Sequence, residues 1–114
     1  MGHDLNSLPP WEALLKRVLW VQIGQLSNKR ILDFGSGIGV TGDHYAKSND
    51  VVAIEPSEES VQQRWKEHPY RQIIGSTDAL RQMPDESFDV IFCHNVLEYA
   101  PDREEILREF YRLL

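Results

Sequence analysis

One stretch of the sequence, from Ile31 to Gly39, combines a carboxylate with closely spaced glycines. Its apolar residues predict a buried parallel strand, and Gly35, Gly37 and Gly39 predict a tight turn into a helix. Glycine accepts positive φ and lets the backbone, including amide groups at a helix N-terminus, approach a ligand closely. The stretch therefore predicts a loop that binds a small molecule.

Asp33, two residues before the first glycine, indicates the charge of that molecule. A carboxylate there would lie roughly 6 Å from a ligand in the turn, where unit charges interact by about 3 kcal/mol at an effective dielectric near 20. This charge repels a pyrophosphate and attracts an amine or a sulfonium. The spacing is also G-x-G-x-G, whereas the dinucleotide fingerprint needs glycine at the position of Val40. A nicotinamide-dependent oxidoreductase is therefore the disfavoured alternative.

With this acid and these glycines, the sequence resembles the class I S-adenosylmethionine-dependent methyltransferases, in particular methyltransferase type 11-like domains. Three further stretches resemble the later motifs in the family's order, namely Glu55, Thr77–Leu80 and Phe88–Tyr99. The resemblance implies a Rossmann-like methyltransferase fold and S-adenosyl-L-methionine as the cofactor. It also implies transfer of a methyl group to a small-molecule acceptor.

Glu55 stands 20 positions after Gly35, the separation at which an acid in a nucleotide-binding βαβ unit meets the ribose hydroxyls. A carboxylate can accept hydrogen bonds from both hydroxyls, each worth about 1.5 to 3 kcal/mol. The alternative interpretation of Glu55 is a solvated strand end. The next residue, Pro56, either lies against adenine or only begins a helix.

For the later motifs, the resemblance implies that Asp78 accepts a hydrogen bond from the adenine amino group, although Asp78 is also a candidate N-cap. It implies that the backbone at Cys93 and His94 accepts from the methionyl amine. Tyr99 stands where many relatives have histidine, and no catalytic residue is predicted. The predicted cofactor-binding residues are Asp33, Gly35, Ser36, Gly37, Gly39, Glu55, Pro56, Thr77, Asp78, Ala79 and His94.

The amino-acid composition is typical of a globular protein and disfavours several kinds of partner and site. The chain has 114 residues, 41% of them hydrophobic and 26% charged, which fits one globular domain. Its net charge of −6 disfavours nucleic acid as a partner, because phosphate binding relies on clustered Lys and Arg. The histidines and the single cysteine have no metal-ligand spacing, and the apolar runs are too short to span a membrane. We expect a cytoplasmic protein, since one cysteine cannot form an internal disulfide.

Residues 1 to 8 are predicted to be disordered, and residues 9 to 114 to form one cofactor-binding domain. Two prolines begin a predicted N-terminal helix over roughly residues 9 to 24. Its apolar stripe is interpreted either as a face that packs on a sheet or as a lid over the ligand. The stripe comprises Trp11, Leu14, Leu15, Val18, Leu19 and Val21.

Along the rest of the chain, short apolar runs alternate with helical patterns, which predicts a doubly wound α/β fold with a mainly parallel sheet. The resemblance implies the strand order 3-2-1-4. A capping box of Asp102 and Glu105 is predicted to begin the last helix. The predicted strands are Ile31–Phe34, Val51–Ile54, Gln72–Ile74 and Phe88–Cys93, and the helices between them cover roughly residues 39–47, 57–68 and 78–80.

The family's fifth strand and antiparallel pair have no counterpart in the sequence after its last predicted helix. The sequence therefore predicts a partial methyltransferase fold with an open fourth-strand edge, and exposed edges tend to pair. We expect a homo-oligomer such as a dimer, formed through that edge or by exchange of the final helix. The alternative function is a module that binds S-adenosylmethionine without independent catalytic activity.

Overall fold

The computed structural model describes residues 4–93 and 97–114, and its centre is a four-stranded parallel sheet in the order β3-β2-β1-β4. The predicted α/β class and strand order are therefore confirmed. The strands are β1 (Arg30–Phe34), β2 (Asp50–Glu55), β3 (Arg71–Ile74) and β4 (Val90–Phe92). The helices are α1 (Pro10–Ile23), α2 (Val40–Ala46), α3 (Glu58–Gln62), α4 (Thr77–Arg81) and α5 (Arg103–Leu113), with 3₁₀ helices at Leu5–Ser7 and Leu97–Tyr99.

Strand β1 lies between β2 and β4 and is buried from its second residue to its end. Phe34 pairs with Ile54 of β2, so the carboxyl ends of these two strands lie side by side. The glycine turn after β1 and the acid at the end of β2 therefore meet at one edge of the sheet. This parallel register is what assembles the predicted cofactor site.

Apolar clusters cover both faces of the sheet, as a doubly wound fold requires. One cluster joins α4 and α5 to the sheet and includes Leu32, Phe34, Ile54, Leu80, Ile106, Phe110 and Leu113. The other joins α1 and α2 to the opposite face and includes Ile31, Tyr45, Val51 and Phe92, with Trp20 and Ile23 packed against it.

Helix α1 forms where the sequence predicts it, but the interpretation that its apolar stripe packs on the sheet is wrong, and the lid interpretation stays a prediction. Ala13 is buried and the Trp20 ring stacks on His44 at 3.6 Å between centroids, so these residues form the inner side. Most of the apolar stripe faces outward instead. Upstream, Leu5–Ser7 forms a short 3₁₀ helix within the segment for which the sequence predicts disorder.

The helix predicted over residues 57–68 is also wrong in length, because α3 ends at Gln62. Its predicted start is correct, since the Ser57 hydroxyl accepts a hydrogen bond from Ser60 N at 3.2 Å. Beyond the helix, Trp65 is buried and its amide donates to Ile38 O at 2.7 Å. This tertiary contact replaces the next helical turn.

The capping box predicted for α5 does not form. The Asp102 carboxylate instead accepts from the Thr77 hydroxyl at 2.6 Å, and Glu105 pairs with Arg81. The helix itself is present because Ile106 and Leu113 are almost fully buried against the sheet. Strand β4 is shorter than predicted, because its pairing with β1 covers only Val90–Phe92.

Over the described ranges 4–93 and 97–114, no helix is both long and apolar enough to traverse a bilayer. The same residues contain no group of three or more His, Cys, Asp or Glu side chains arranged to hold a metal ion.

Candidate functional site

The turn after β1 has the left-handed backbone that its glycines allow, with φ of +80° at Gly35, +58° at Gly37 and +79° at Gly39. The amides of Gly35 and Ser36 both donate to Ile54 O, at 2.8 and 3.0 Å. Gly39 N donates to Ser36 O at 2.9 Å. The Gly35 and Ser36 amides hold the turn against β2, and the Gly39 amide closes the turn on itself. Contact between a ligand and the amides at the N-terminus of α2 stays a prediction. The turn contributes its shape and the absence of side chains.

Gly39 and Gly37 have different surroundings, so a side chain would have a different effect at each position. A Cβ at Gly39 would lie 2.6 Å from the Tyr70 hydroxyl oxygen, so only glycine fits between the turn and the segment before β3. A Cβ at Gly37 would meet no atom within 4 Å. The tip of the turn at Gly37 is therefore open, and a ligand can approach its backbone.

Asp33 lies at the centre of the site and is only 4% exposed. Its carboxylate lies over Gly42 of α2, where a Cβ would come within 3.2 Å of Oδ2, and the Gly42 amide donates to it. Burial raises the pKa of Asp33 to about 6, an effect that Lys16 opposes and Glu55 increases. The carboxylate is thus mainly ionised at neutral pH, in surroundings that favour a cationic partner.

A cavity of about 230 Å³ lies between the glycine turn and α1. Asp33 and Thr41 line it together with Glu12 and Lys16 of α1, and Lys16 Nζ donates to the Thr41 hydroxyl at 3.4 Å. The sequence reasoning missed these α1 residues and Gly42. Glu12 and Lys16 are charged residues four positions apart in α1, and this spacing was the signal that the sequence offered. Only the packing of α1 places the two side chains beside the glycine turn.

Glu55, at the end of β2, holds the other side of the turn. Its Oε1 accepts from Gly37 N at 2.9 Å and its Oε2 accepts from Ser57 N at 3.0 Å. Each carboxylate oxygen has a second lone pair available for a further donor. The two backbone bonds therefore fix the orientation of a carboxylate that can still accept from ligand hydroxyls.

A second cavity, of about 450 Å³, extends from Glu55 toward α5. This volume is within the range of small-molecule sites. Pro56 and Ser76 line it on the side of β2 and β3, while Tyr99, which is 81% exposed, and Pro101 line the other side. The two cavities flank the glycine turn along the carboxyl edge of the sheet.

The predicted residues after β3 lie in different environments. The Asp78 side chain is exposed and accepts from Ser76 N at 2.9 Å, whereas Ser76 is the residue in the N-cap position of α4. Thr77 and Ala79 are buried, the first bonded to Asp102 and the second packed in the core. The predicted contacts of Thr77, Asp78 and Ala79 with a ligand stay predictions. His94 lies outside the described residues.

A larger cavity, of about 760 Å³, lies between the ends of α1 and α2 and includes Trp20, Tyr45 and Asn49. Asn49 immediately precedes β2, so this cavity is next to the amino end of a strand. Ligands of open parallel α/β sheets bind outside the carboxyl ends of the strands. The two cavities beside the glycine turn are therefore the candidate site.

Comparison with protein families gives a match over residues 32–114 to a family described as "Methyltransferase domain". A similar curated protein is the ubiquinone biosynthesis O-methyltransferase of Pseudomonas putida, which is 31% identical over 121 residues. The alignment covers 98% of this chain and 48% of that enzyme. The chain thus spans about half the length of the curated relatives it matches.

Solved structures share the fold. A SAM-dependent methyltransferase from Archaeoglobus fulgidus superposes with a TM-score of 0.72 at 23% identity, over 89% of this chain and 47% of that one. The cyclase SpnF superposes with a TM-score of 0.76 at 21% identity, over 98% of this chain and 44% of that one. At these identities the similarity shows the fold alone.

Proposed function

Since this chain belongs to the methyltransferase-domain family of S-adenosylmethionine-dependent enzymes, we propose that it binds S-adenosylmethionine along the carboxyl edge of β1 and β2. We propose further that it is the cofactor-binding portion of an enzyme that methylates a small-molecule acceptor. The observation that supports this most is the pair of oriented acids, Asp33 and Glu55, on either side of an open glycine turn.

The charge of the site favours a cationic adenosine derivative over a ligand with a diphosphate. Asp33 is buried and its pKa is raised to about 6, so it is mainly ionised at pH 7. A buried carboxylate attracts the cationic groups of S-adenosylmethionine and repels a diphosphate. The amides of Gly35 and Gly37 also donate within the protein, to Ile54 O and to Glu55. They are therefore occupied rather than available to a diphosphate.

The two cavities suit the two ends of this cofactor. In our proposal the amino-acid end occupies the cavity of about 230 Å³ beside Asp33. The ribose hydroxyls donate to Glu55, whose orientation is fixed by Gly37 N and Ser57 N. The adenine then extends into the cavity of about 450 Å³, which Pro56 lines.

When bound, the cofactor supplies an electrophilic methyl group on a sulfonium. The contribution of this chain is to hold and orient that group, and orientation alone accounts for a large part of such a displacement. Asp33 and Glu55 contact opposite ends of the proposed ligand and so define its direction along the sheet edge. A base is needed only when the acceptor must lose a proton, and we assign none.

The first test is calorimetry with S-adenosylhomocysteine and S-adenosylmethionine, with NAD as the comparison ligand. We expect binding of both adenosyl ligands and none of NAD. Glu55→Gln should weaken binding by about tenfold or more, because the charge is lost and the glutamine NH₂ group cannot accept from Gly37 N or Ser57 N as a carboxylate oxygen does. Glu58→Gln is the matched control, since Glu58 is an exposed acid three residues further on. Folded protein that binds NAD instead, or neither adenosyl ligand, would refute the proposal.

A binding-only module is the second candidate function. The alignment covers 48% of the curated relative, and residues that hold the acceptor in that enzyme can lie outside the aligned part. An assay with methyl-labelled cofactor separates the two candidates. Since the relative is named an O-methyltransferase, acceptors that carry a hydroxyl group are the first to test, and transfer of label would refute the binding-only function. We also propose a cytoplasmic location, where S-adenosylmethionine is made and the single cysteine stays reduced.

A further inference from the structure

Helix α1 has a large apolar surface on the side that faces away from the sheet. Five of its side chains are between 46% and 81% exposed. We call this surface the outer face of α1, and it consists of Trp11, Leu14, Leu15, Val18 and Val21. Contiguous exposed apolar patches of this kind mark interaction sites more often than isolated apolar residues do.

The other side of α1 is already occupied by this chain. Ala13 is buried, Trp20 stacks on His44, and Lys16 bonds to Thr41 beside the glycine turn. The helix therefore cannot turn its outer face toward the sheet without breaking these contacts. The outer face is therefore available to a surface other than this sheet.

The spacing of the outer face is that of a helix that pairs with another helix. Trp11, Leu15 and Val18 follow the alternating steps of four and three residues that form a coiled-coil seam, and Gln22 continues it. Leu14 is on one flank of this seam and widens it. In an antiparallel pair, one flank of a helix contacts the same flank of the other helix. An apolar flank is therefore suited to this arrangement, because it contacts another apolar flank.

From these observations we propose that the outer face of α1 binds the outer face of a second copy of this chain, as an antiparallel helix pair about a two-fold axis. In this register Leu15 packs beside the second copy's Val18, and Trp11 beside the second copy's Gln22. Such an isologous contact closes on itself and gives a dimer.

The area is sufficient for this occupant. An aromatic side chain such as Trp11 buries roughly 150 to 250 Å² when it is fully covered, and the four aliphatic side chains of the outer face add to this area. At the observed exposures the outer face offers on the order of 500 Å² per copy, or about 1,000 Å² for the pair, which is the lower limit of a specific interface. All five of its side chains are uncharged, so pairing does not bury a charge.

Light scattering and sedimentation over a range of protein concentrations test the proposal. We expect a dimer that Leu15→Lys with Val18→Lys converts to a monomer, raising the dissociation constant by about tenfold or more because each copy places two charges in the interface. Leu107→Lys is the matched control, since Leu107 is an apolar residue of α5 with 51% exposure. Circular dichroism confirms that each variant is folded.

A monomer at all concentrations would overturn the proposal. A dimer that survives the paired lysine substitutions would overturn it too, and would direct attention to the β4 edge or to exchange of α5.

Cross-linking tests the orientation in a Cys93→Ser background. Chains with Trp11→Cys are mixed with chains carrying Gln22→Cys and oxidised mildly. The antiparallel pair predicts a cross-link between the two kinds of chain, because two copies of position 11 lie about 16 Å apart along the helix. Cross-linking of Trp11→Cys chains to each other without the partner variant would contradict the register.

Discussion

Replacement of Asp33 by asparagine should make the ligand-free protein more stable and abolish most of its affinity for S-adenosylhomocysteine. The asparagine side chain has the same shape without the charge, and its carbonyl oxygen can still accept from Gly42 N, as the carboxylate does. The substitution therefore removes the charge and leaves the packing in place.

The gain in stability follows from the pKa. Burial raises the pKa of Asp33 from 3.8 to about 6, which corresponds to about 3 kcal/mol of unfavourable free energy for the ionised folded state. Net stabilities of domains are about 5–15 kcal/mol, so this is a measurable share. We therefore expect the free energy of unfolding of Asp33→Asn to exceed that of the wild type by about 3 kcal/mol near pH 8.

The sign of the pH dependence follows from the same shift. Because the folded pKa lies above the unfolded value, the folded protein holds this proton more tightly, and the penalty is complete only above about pH 6. As the pH falls through 6 toward 3.8, Asp33 is protonated in the folded state and the penalty disappears. The advantage of the variant should therefore decrease to about 1.5 kcal/mol near pH 5.

Urea unfolding at the two pH values measures the stability, and calorimetry measures the affinity. Loss of a charge interaction of about 3 kcal/mol should weaken S-adenosylhomocysteine binding by about 100-fold. Asp43→Asn is the matched control, since Asp43 is an equally buried acid of α2 whose carboxylate accepts from His68 N at 2.8 Å. We expect no gain in stability from that change and cofactor affinity within about twofold of the wild type.

Two results would refute the reasoning. A less stable Asp33→Asn protein at pH 8 would mean that the carboxylate is paired well enough to offset its burial. Unchanged affinity for S-adenosylhomocysteine would mean that the charge of Asp33 does not contact the ligand.

Three further predictions concern the turn, the pH and the core. Gly39→Ala should lower the free energy of unfolding by about 3 kcal/mol, since the new Cβ would collide with Tyr70. Gly37→Ala should lower it by only about 1 kcal/mol, because the positive φ is the only obstacle there. Urea unfolding measures the free energy of both variants. S-adenosylhomocysteine affinity should fall as the pH is lowered through about 6, where Asp33 is protonated, and calorimetry that finds it constant down to pH 5 would contradict this. Ile106→Ala should destabilise the protein by about 2–5 kcal/mol, because this side chain is 1% exposed, and a smaller loss on thermal unfolding would contradict the assignment of α5 to the core.

Local patterns were enough to predict the order of the elements. The apolar runs at β1 and β2, the Ser57 cap and the glycines of the turn depend on steric and hydrogen-bonding preferences of neighbouring residues, which the sequence displays directly. The acids at the strand ends followed as well, because parallel strands bring their carboxyl ends to one edge.

Contacts between distant segments could not be predicted in the same way. The last turns of the helix predicted over residues 57–68 are absent because Trp65 bonds to Ile38, and the capping box is absent because Thr77 binds Asp102. In both cases a long-range hydrogen bond replaces a local one of similar energy. The intrinsic helix propensities of the residues do not show which of the two hydrogen bonds forms.

The sequence by itself therefore determined that an acid lies near the end of the first strand, that three glycines follow this strand, and that a second acid ends the next strand. Only the tertiary structure decided that Asp33 is buried against Gly42 and that Lys16 is close enough to influence its pKa. It also decided that the apolar stripe of α1 faces outward. The reason is that burial and electrostatic environment depend on which segments pack together, whereas turns and strand ends depend on residues adjacent in the chain.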